Sequence, residues 1–171
     1  AFLQDIYSDQ KILRSRLIPR ELVLGNKQYR RQMRGVRLPH SAWAHVAGVD
    51  LIRDEGGNFL ALEDNLRVPS GVSYMIENRK VMMRLFPELF ALNKVTPIEH
   101  YPDLLLKALR SVSPRGVDNP AVVVLTPGVH NSAYFEHSFL AQQMGVELVE
   151  GQDLFIQGDH LYSKTTSGPR R

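Results

Sequence analysis

The sequence predicts a mixed α/β protein, and three stretches carry that prediction. Residues 48–65 read as strand, turn and strand; residues 72–85 repeat apolar side chains at helical spacing; residues 121–149 read as a β-loop-α-β unit. At 171 residues the chain is long enough for one core or two small lobes. The breakers Ser113-Pro114-Arg115-Gly116 through Asn119-Pro120 mark the expected division, into residues 1–115 and 116–171.

With 43% hydrophobic and 23% charged residues, the composition is that of an ordinary soluble globular protein. The absence of cysteine excludes disulfides and thiolate metal sites, and suits a reducing cytoplasm. No apolar run reaches membrane-spanning length, so no membrane partner is expected. Starting at Ala1 and stopping in SGPRR, the chain reads as a piece of a longer protein. The net charge is +3, with arginines gathered between Arg14 and Arg37. Few aromatics interleave them, whereas single-strand binders need stacking platforms, so a solvated helical face is expected there rather than a nucleic-acid footprint.

Taken in order, Phe2, Leu3, Ile6, Leu13 and Leu17 predict one amphipathic helix over residues 2–17, ended by Pro19. A short second helix through Glu21, Leu22 and Val23 stops at Gly25. Residues 26–39 are polar and weakly periodic, which predicts loop with a helical turn at most. His40, Trp43 and His45 lack the i, i+4 pairing of a helical metal motif, so packing is expected of them.

Two apolar runs, 49–52 and 59–62, then flank Glu55-Gly56-Gly57-Asn58, the signature of a tight hairpin. A turn centred on the two glycines sets Asp50 opposite Glu63, and alternation puts Glu63 and Asn65 on one face with Asp64 on the other. Two carboxylates that close resist joint ionisation unless a cation lies between them, and oxygen donors suit a hard divalent ion such as magnesium. The helix over 72–85 follows and ends at Pro87. Thr96-Pro97-Ile98-Glu99 has the form of a capping box, and a further helix is expected from about Asp103 to about Val112. The run 121–125 predicts a buried parallel strand, Ser132 can cap a helix over 133–144, Gly145 closes it, and 146–149 supplies the next strand. Residues 155–162 suggest a last hairpin, and 164–171 a mobile tail.

The order Gly-Val-Asp, Gly-rich turn, Glu63-x-Asn65 and Pro-Ser-Gly loop resembles the metal-binding hairpin of the ATP-grasp ligases. With LEDNLRVPSGVSYMIENR and VVVLTPGVHNSAYFEHSFLAQQMGVELVEGQDL, most of the chain is similar to the circularly permuted ATP-grasp proteins, a family akin to glutathionylspermidine synthetases. That resemblance implies an ATP-grasp-type hairpin followed by a Rossmann-like unit. It further implies a carboxylate–amine ligase working through an acylphosphate, with ATP and Mg2+ as cofactors and a small-molecule or peptide carboxylate and an amine as partners. Asp50, Glu63 and Asn65 would hold magnesium, and Ser70 and Gly71 would lie against the nucleotide. Arg67, just beyond the second strand, is a candidate for stabilising phosphate or a tetrahedral intermediate, with a surface salt bridge as the competing reading. Asn131, Ser132 and Glu136, at the start of the 133–144 helix, are candidate contacts for an acidic substrate, with simple capping as the alternative. Val68 and Ser70 lengthen the usual Glu-x-Asn-x-x-Pro-Gly tail, and no lysine pair or glycine-rich flap is recognisable in the chain. Either these nucleotide-gripping parts follow Arg171 in a longer protein, or the chain is not a working ligase. Two further classes stay open at this point: a non-catalytic ATP-grasp-like scaffold, and an RNA-binding domain acting through the arginine-rich start.

Overall fold

In the first 45 residues, one carboxylate decides the local structure. Asp5 accepts the backbone N–H groups of Lys11 and Ile12, each at 2.9 Å, and so competes with helix continuation. The expected 2–17 helix is therefore two, α1 (Phe2–Tyr7) and α2 (Lys11–Arg14), broken at Gln10 with φ 55°. The N–H of Ile12, then that of Lys11, hold the Asp5 carboxyl below the usual aspartate range. Next, α3 (Arg20–Leu24) stops at Gly25. The stretch expected as loop is organised by aromatic rings. Tyr7 stacks on Tyr29 at 5.0 Å and on Trp43 at 5.2 Å, and its hydroxyl accepts the N–H of Arg30 at 3.0 Å. Ile6, Tyr7 and Leu13 are the buried apolar side chains of this part.

The computed structural model describes residues 1–114 and 116–171; Arg115, within the expected division, lies outside the described residues. The chain forms two compact units, Ala1–His45 and Val46–Arg171, and the expected division falls inside the second.

The second unit opens with the antiparallel hairpin β1 (Gly48–Arg53) and β2 (Phe59–Asn65). Helix α4 spans Val72–Leu85, as its apolar spacing predicts, and Pro87 begins α5 (Pro87–Asn93). The Thr96–Glu99 box does not start a helix. Glu99 Oε2 accepts its neighbour's N–H from Ile98 at 2.9 Å while Oε1 takes Arg79 Nε at 3.1 Å, so the side chain that would close the box is engaged elsewhere. Helix α6 runs over Tyr101–Ser111, with Pro102 in its first turn, where no intrahelical N–H is needed.

Strand β3 (Val123–Leu125), helix α7 (Tyr134–Met144) and strand β4 (Glu147–Val149) follow, with β3 and β4 paired in parallel. Gly145 ends α7 at φ 67°. Only two three-residue strands form here, and Leu125 is exposed, so the run 121–125 is not the doubly covered strand its composition predicts. Helix α7 packs on β3, β4, α4 and α6, with Ile76, Phe139, Ala141, Met144 and Val149 buried. The last sheet has three strands, β5 (Leu154–Gln157), β6 (His160–Thr165) and β7 (Gly168–Arg170). The tail expected to be mobile is thus a paired edge strand, anchored where Thr165 Oγ1 donates to the Gly168 carbonyl at 2.6 Å. The whole is a mixed α/β arrangement built on small sheets.

Candidate functional site

The hairpin sets Asp50 opposite Glu63, as adding residue numbers predicts, but by another route. The turn is not centred on Gly56-Gly57. Asp54 and Asn58 close it, with Asp54 N–H donating to the Asn58 carbonyl at 3.0 Å and Gly57 N–H donating to the Asp54 carbonyl at 3.0 Å. Of the two glycines Gly57 alone has positive φ, +85°, the pattern of a type I turn followed by a left-handed residue. Such a turn by itself would slip every later pair by one residue. A bulge between Leu51↔Ala61 and Asp50↔Glu63 leaves Leu62 unpaired and restores the offset. Glu63 therefore shares the face of Asp50, while Ala61, two residues earlier, shares that of Leu51.

Asn65 joins the same face: its Nδ2 donates to Asp50 Oδ1 at 3.4 Å. Asp50, Glu63 and Asn65 are all exposed. Two anionic oxygens and an amide oxygen, with water at hand, form the kind of donor set that a hard divalent cation takes. Among the described residues no group of three or more His, Asp or Glu side chains gathers as a metal centre, at the hairpin or elsewhere.

The loop leaving β2 is an arch over residues 66–71, held at two points. Pro69 lies over Gly48, so closely that a Cβ there would stand 2.7 Å from the Pro69 Cβ. At its far end Gly71, at φ +103°, donates its N–H to Glu136 Oε2 at 2.6 Å. The same oxygen accepts the Ser73 hydroxyl at 2.8 Å and the Ser73 N–H at 3.3 Å. These donors belong to the first turn of α4, whose N–H groups have no acceptor within the helix. Arg67 and Val68, before Pro69, and Ser70, between the two anchors, are exposed, and among the described residues Arg67 makes no ion pair.

Two expectations shift at this point. The Gly71 N–H, expected against a nucleotide, and the Glu136 carboxylate, expected against an acid, bond to each other; Glu136 is 6% exposed. Ser132 does not cap α7. The Asn131 side chain does the local work, its Oδ1 accepting the Ala133 N–H at 2.9 Å, and Ser132 is exposed. Burial first, then the charge of Glu136, push the Tyr101 phenol above its usual range. Arg79 buttresses α4, reaching the Val95 carbonyl at 3.1 Å, Glu99, and the face of Phe90 at 5.0 Å. Sequence reasoning missed Gly48, Pro69 and Ser73 as parts of this site. A glycine opposite a Pro-Ser-Gly loop was the available signal for the first two, and no local pattern marks Ser73. A cavity of about 700 Å³, lined by Pro120, Asp159, His160 and neighbours, contains none of the expected site residues.

Comparison with known proteins now gives the class. Residues 1–171 match the family described as a circularly permuted ATPgrasp, and the chain belongs to that family. It is similar to the uncharacterized protein Rv2411c of Mycobacterium tuberculosis, 55% identical over 170 residues, 99% of this chain and 31% of that protein. The uncharacterized protein sll0335 of Synechocystis is 48% identical over 170 residues, 99% of this chain and 35% of the relative. At 40% identity over 172 residues comes a Frankia casuarinae protein named "Putative glutamate--cysteine ligase 2-2", of which this chain covers 20%. The chain thus spans about a third of the length of the first two relatives and a fifth of the third. No helix among the described residues is long and apolar enough to cross a membrane.

Proposed function

We propose that this chain supplies the metal-binding part of an ATP-dependent carboxylate–amine ligase. The observation that carries the reading is the opposition of Asp50 and Glu63 across the hairpin, with Asn65 bonded to Asp50, in a chain of the ATP-grasp family. Asp50, Glu63 and Asn65 would hold magnesium, which, when bound, offsets negative charge on the phosphates of ATP. Asn65 Nδ2 now occupies Asp50 Oδ1, the contact that a cation would displace.

In the reaction a carboxylate oxygen attacks the γ-phosphorus of ATP, the bond to ADP breaks, and an acylphosphate forms. An amine nitrogen then attacks the acyl carbon, the carbon–oxygen bond to phosphate breaks, and the amine loses a proton as the amide forms. The part of this chain is to position and to neutralise, since phosphoryl transfer needs little covalent help from protein. Arg67, exposed on the arch beside Asn65, would meet the charge of the transferring phosphoryl group or of the tetrahedral intermediate. Ser70 would border the nucleotide from the same arch, and Asn131 and Ser132, in the loop before α7, would meet the acid. The Frankia relative, named as a ligase of glutamate and cysteine, is of this reaction class, and peptide-bond formation of the glutathionylspermidine synthetase kind fits the same donor set. The reaction needs no membrane and suits the cytoplasm, where ATP and magnesium are plentiful.

Isothermal titration of Mg-ATP into the full-length protein, beside Asp50→Asn and Glu63→Gln, tests the reading. Each substitution removes one anionic ligand and is expected to weaken Mg-ATP at least tenfold, about 1.4 kcal/mol. Equal heats in all three proteins would remove the metal role.

A further inference from the structure

The first unit carries more positive charge than the whole chain. Residues 1–45 hold nine lysines and arginines against three carboxylates, a net +6, where the complete sequence is +3. The seven arginines from Arg14 to Arg37 are all exposed, and among the described residues none of them enters an ion pair. Like charges at this density repel, and a polyanion would relieve them. Three of the arginines share one place: Arg14 at the end of α2, Arg16 in the link and Arg20 at the start of α3 line a cavity of about 560 Å³, with Glu21 as its one acid. The next residues of α3, Leu22 and Val23, line a second cavity of about 330 Å³ together with Tyr7 and Tyr29, and Asn26 and Gln28 are its polar members. Helix α3 is thus common to a basic cavity and an apolar, aromatic one, each within the size range of small-ligand sites.

In the sequence these arginines lack interleaved rings on which bases could stack; the fold supplies the rings. Tyr29, Tyr7 and Trp43 lie nearly parallel, with interplanar angles of 3° and 2°. Tyr7, common to both contacts, is buried, whereas Tyr29 and Trp43 are half-buried and keep ring surface open. We infer that the first unit binds single-stranded nucleic acid, with phosphates on Arg14, Arg16 and Arg20 and a base in the cavity that Tyr29 lines. Single strands offer charge and flat apolar faces together, which is what a basic surface beside aromatic rings takes up. An acidic peptide would answer the arginines and leave the aromatic cavity unfilled, and a mononucleotide brings too few charges for seven guanidinium groups. The inference stands apart from the Mg-ATP reading, which concerns the second unit.

Fluorescence anisotropy on the full-length protein tests it, with a labelled RNA or single-stranded DNA of about 12 nucleotides, a length such sites span, titrated over a series of salt concentrations. Binding of either strand is expected, with log K falling linearly in log salt. Replacing Arg14, Arg16 and Arg20 together by Gln is expected to flatten that slope by about 2, three phosphate contacts at about 0.7 each. Tyr29→Leu keeps apolar bulk in the cavity but removes the ring; it is expected to weaken binding about tenfold with the slope unchanged, while Tyr29→Phe keeps wild-type affinity. Should Tyr29→Leu fold poorly by circular dichroism, inorganic polyphosphate of matched charge replaces it as the readout, and is expected to compete at least about tenfold less well than the oligonucleotide, since it has no base to stack. Equal competition by polyphosphate or by polyglutamate would make the surface a site for any polyanion and overturn the proposal. So would full displacement by ATP at the oligonucleotide's own concentration, an unchanged slope in the arginine variant, or no binding at low salt.

Discussion

Gly48 owes its importance to Pro69, which occupies the space a side chain would fill. A methyl group on residue 48 would lie 2.7 Å from the Pro69 Cβ, and neither ring nor backbone can yield cheaply. Gly48→Ala is expected to lower stability by about 1–3 kcal/mol, the usual cost of overpacking, as read by thermal denaturation. Gly56→Ala serves as the control: its added methyl meets only the Asn58 and Asp54 side chains, at 3.2 Å and beyond, and the melting temperature should stay close to that of wild type. At this scale the sequence was legible wherever partners are near in number. Asp50 and Glu63 could be paired by addition, because a hairpin is local. Glu136 and Ser73 could not, because nothing in either neighbourhood encodes the other, and packing of α7 on α4 alone brings them together.

Between β1 and β2, the five-residue connection and the bulge at Leu62 depart from a regular hairpin in opposite senses and cancel. The glycine pair announced a turn correctly and its geometry wrongly, since Asp54 draws the closure one position outward. Its carboxylate accepts the Asn58 amide side chain at 3.1 Å and the Asn58 N–H at 2.7 Å. The Asn58 side chain first, then its backbone, hold the Asp54 carboxyl below the usual aspartate range. A depressed carboxylate contributes above the ordinary range, and that contribution is lost as pH falls through the lowered folded value. The Asn58 amide resonance is therefore expected to stay fixed through mild acid and to move only below the range where free aspartate titrates, followed by NMR. In Asp54→Ala that transition should vanish. The same competition, a short acidic side chain capturing backbone N–H groups, breaks the first helix at Gln10. Periodicity reports which face is apolar but not where a carboxylate will interrupt, which is why residues 2–17 read as one helix.

Over the second unit as a whole, apolar surface outruns its cover. Val49, Leu51, Ile52, Phe59, Leu60 and Leu62 are between 46% and 69% exposed, so the hairpin shows oily side chains on both faces. A two-stranded sheet with neither face packed is marginal in water. Residues 1–171 produced alone are expected to bind an apolar dye such as ANS and to self-associate with rising concentration, measured by fluorescence and light scattering; a monomer with no dye response would contradict that surface. The mixed α/β character, the hairpin, α4 and the β3-α7-β4 unit were all visible in the periodicity. The C-terminal edge strand was hidden because residues 164–171 are polar, and strand pairing there rests on backbone bonds and a threonine hydroxyl.

The bond between Glu136 and Gly71 also orders events during synthesis. The acidic hairpin leaves the ribosome first, yet its arch has no far anchor until 65 more residues have been added, roughly 3–13 s at ordinary elongation rates. For that interval the nascent protein carries its carboxylate pair beside a loop whose Gly71 and Ser73 amides have no buried carboxylate to meet.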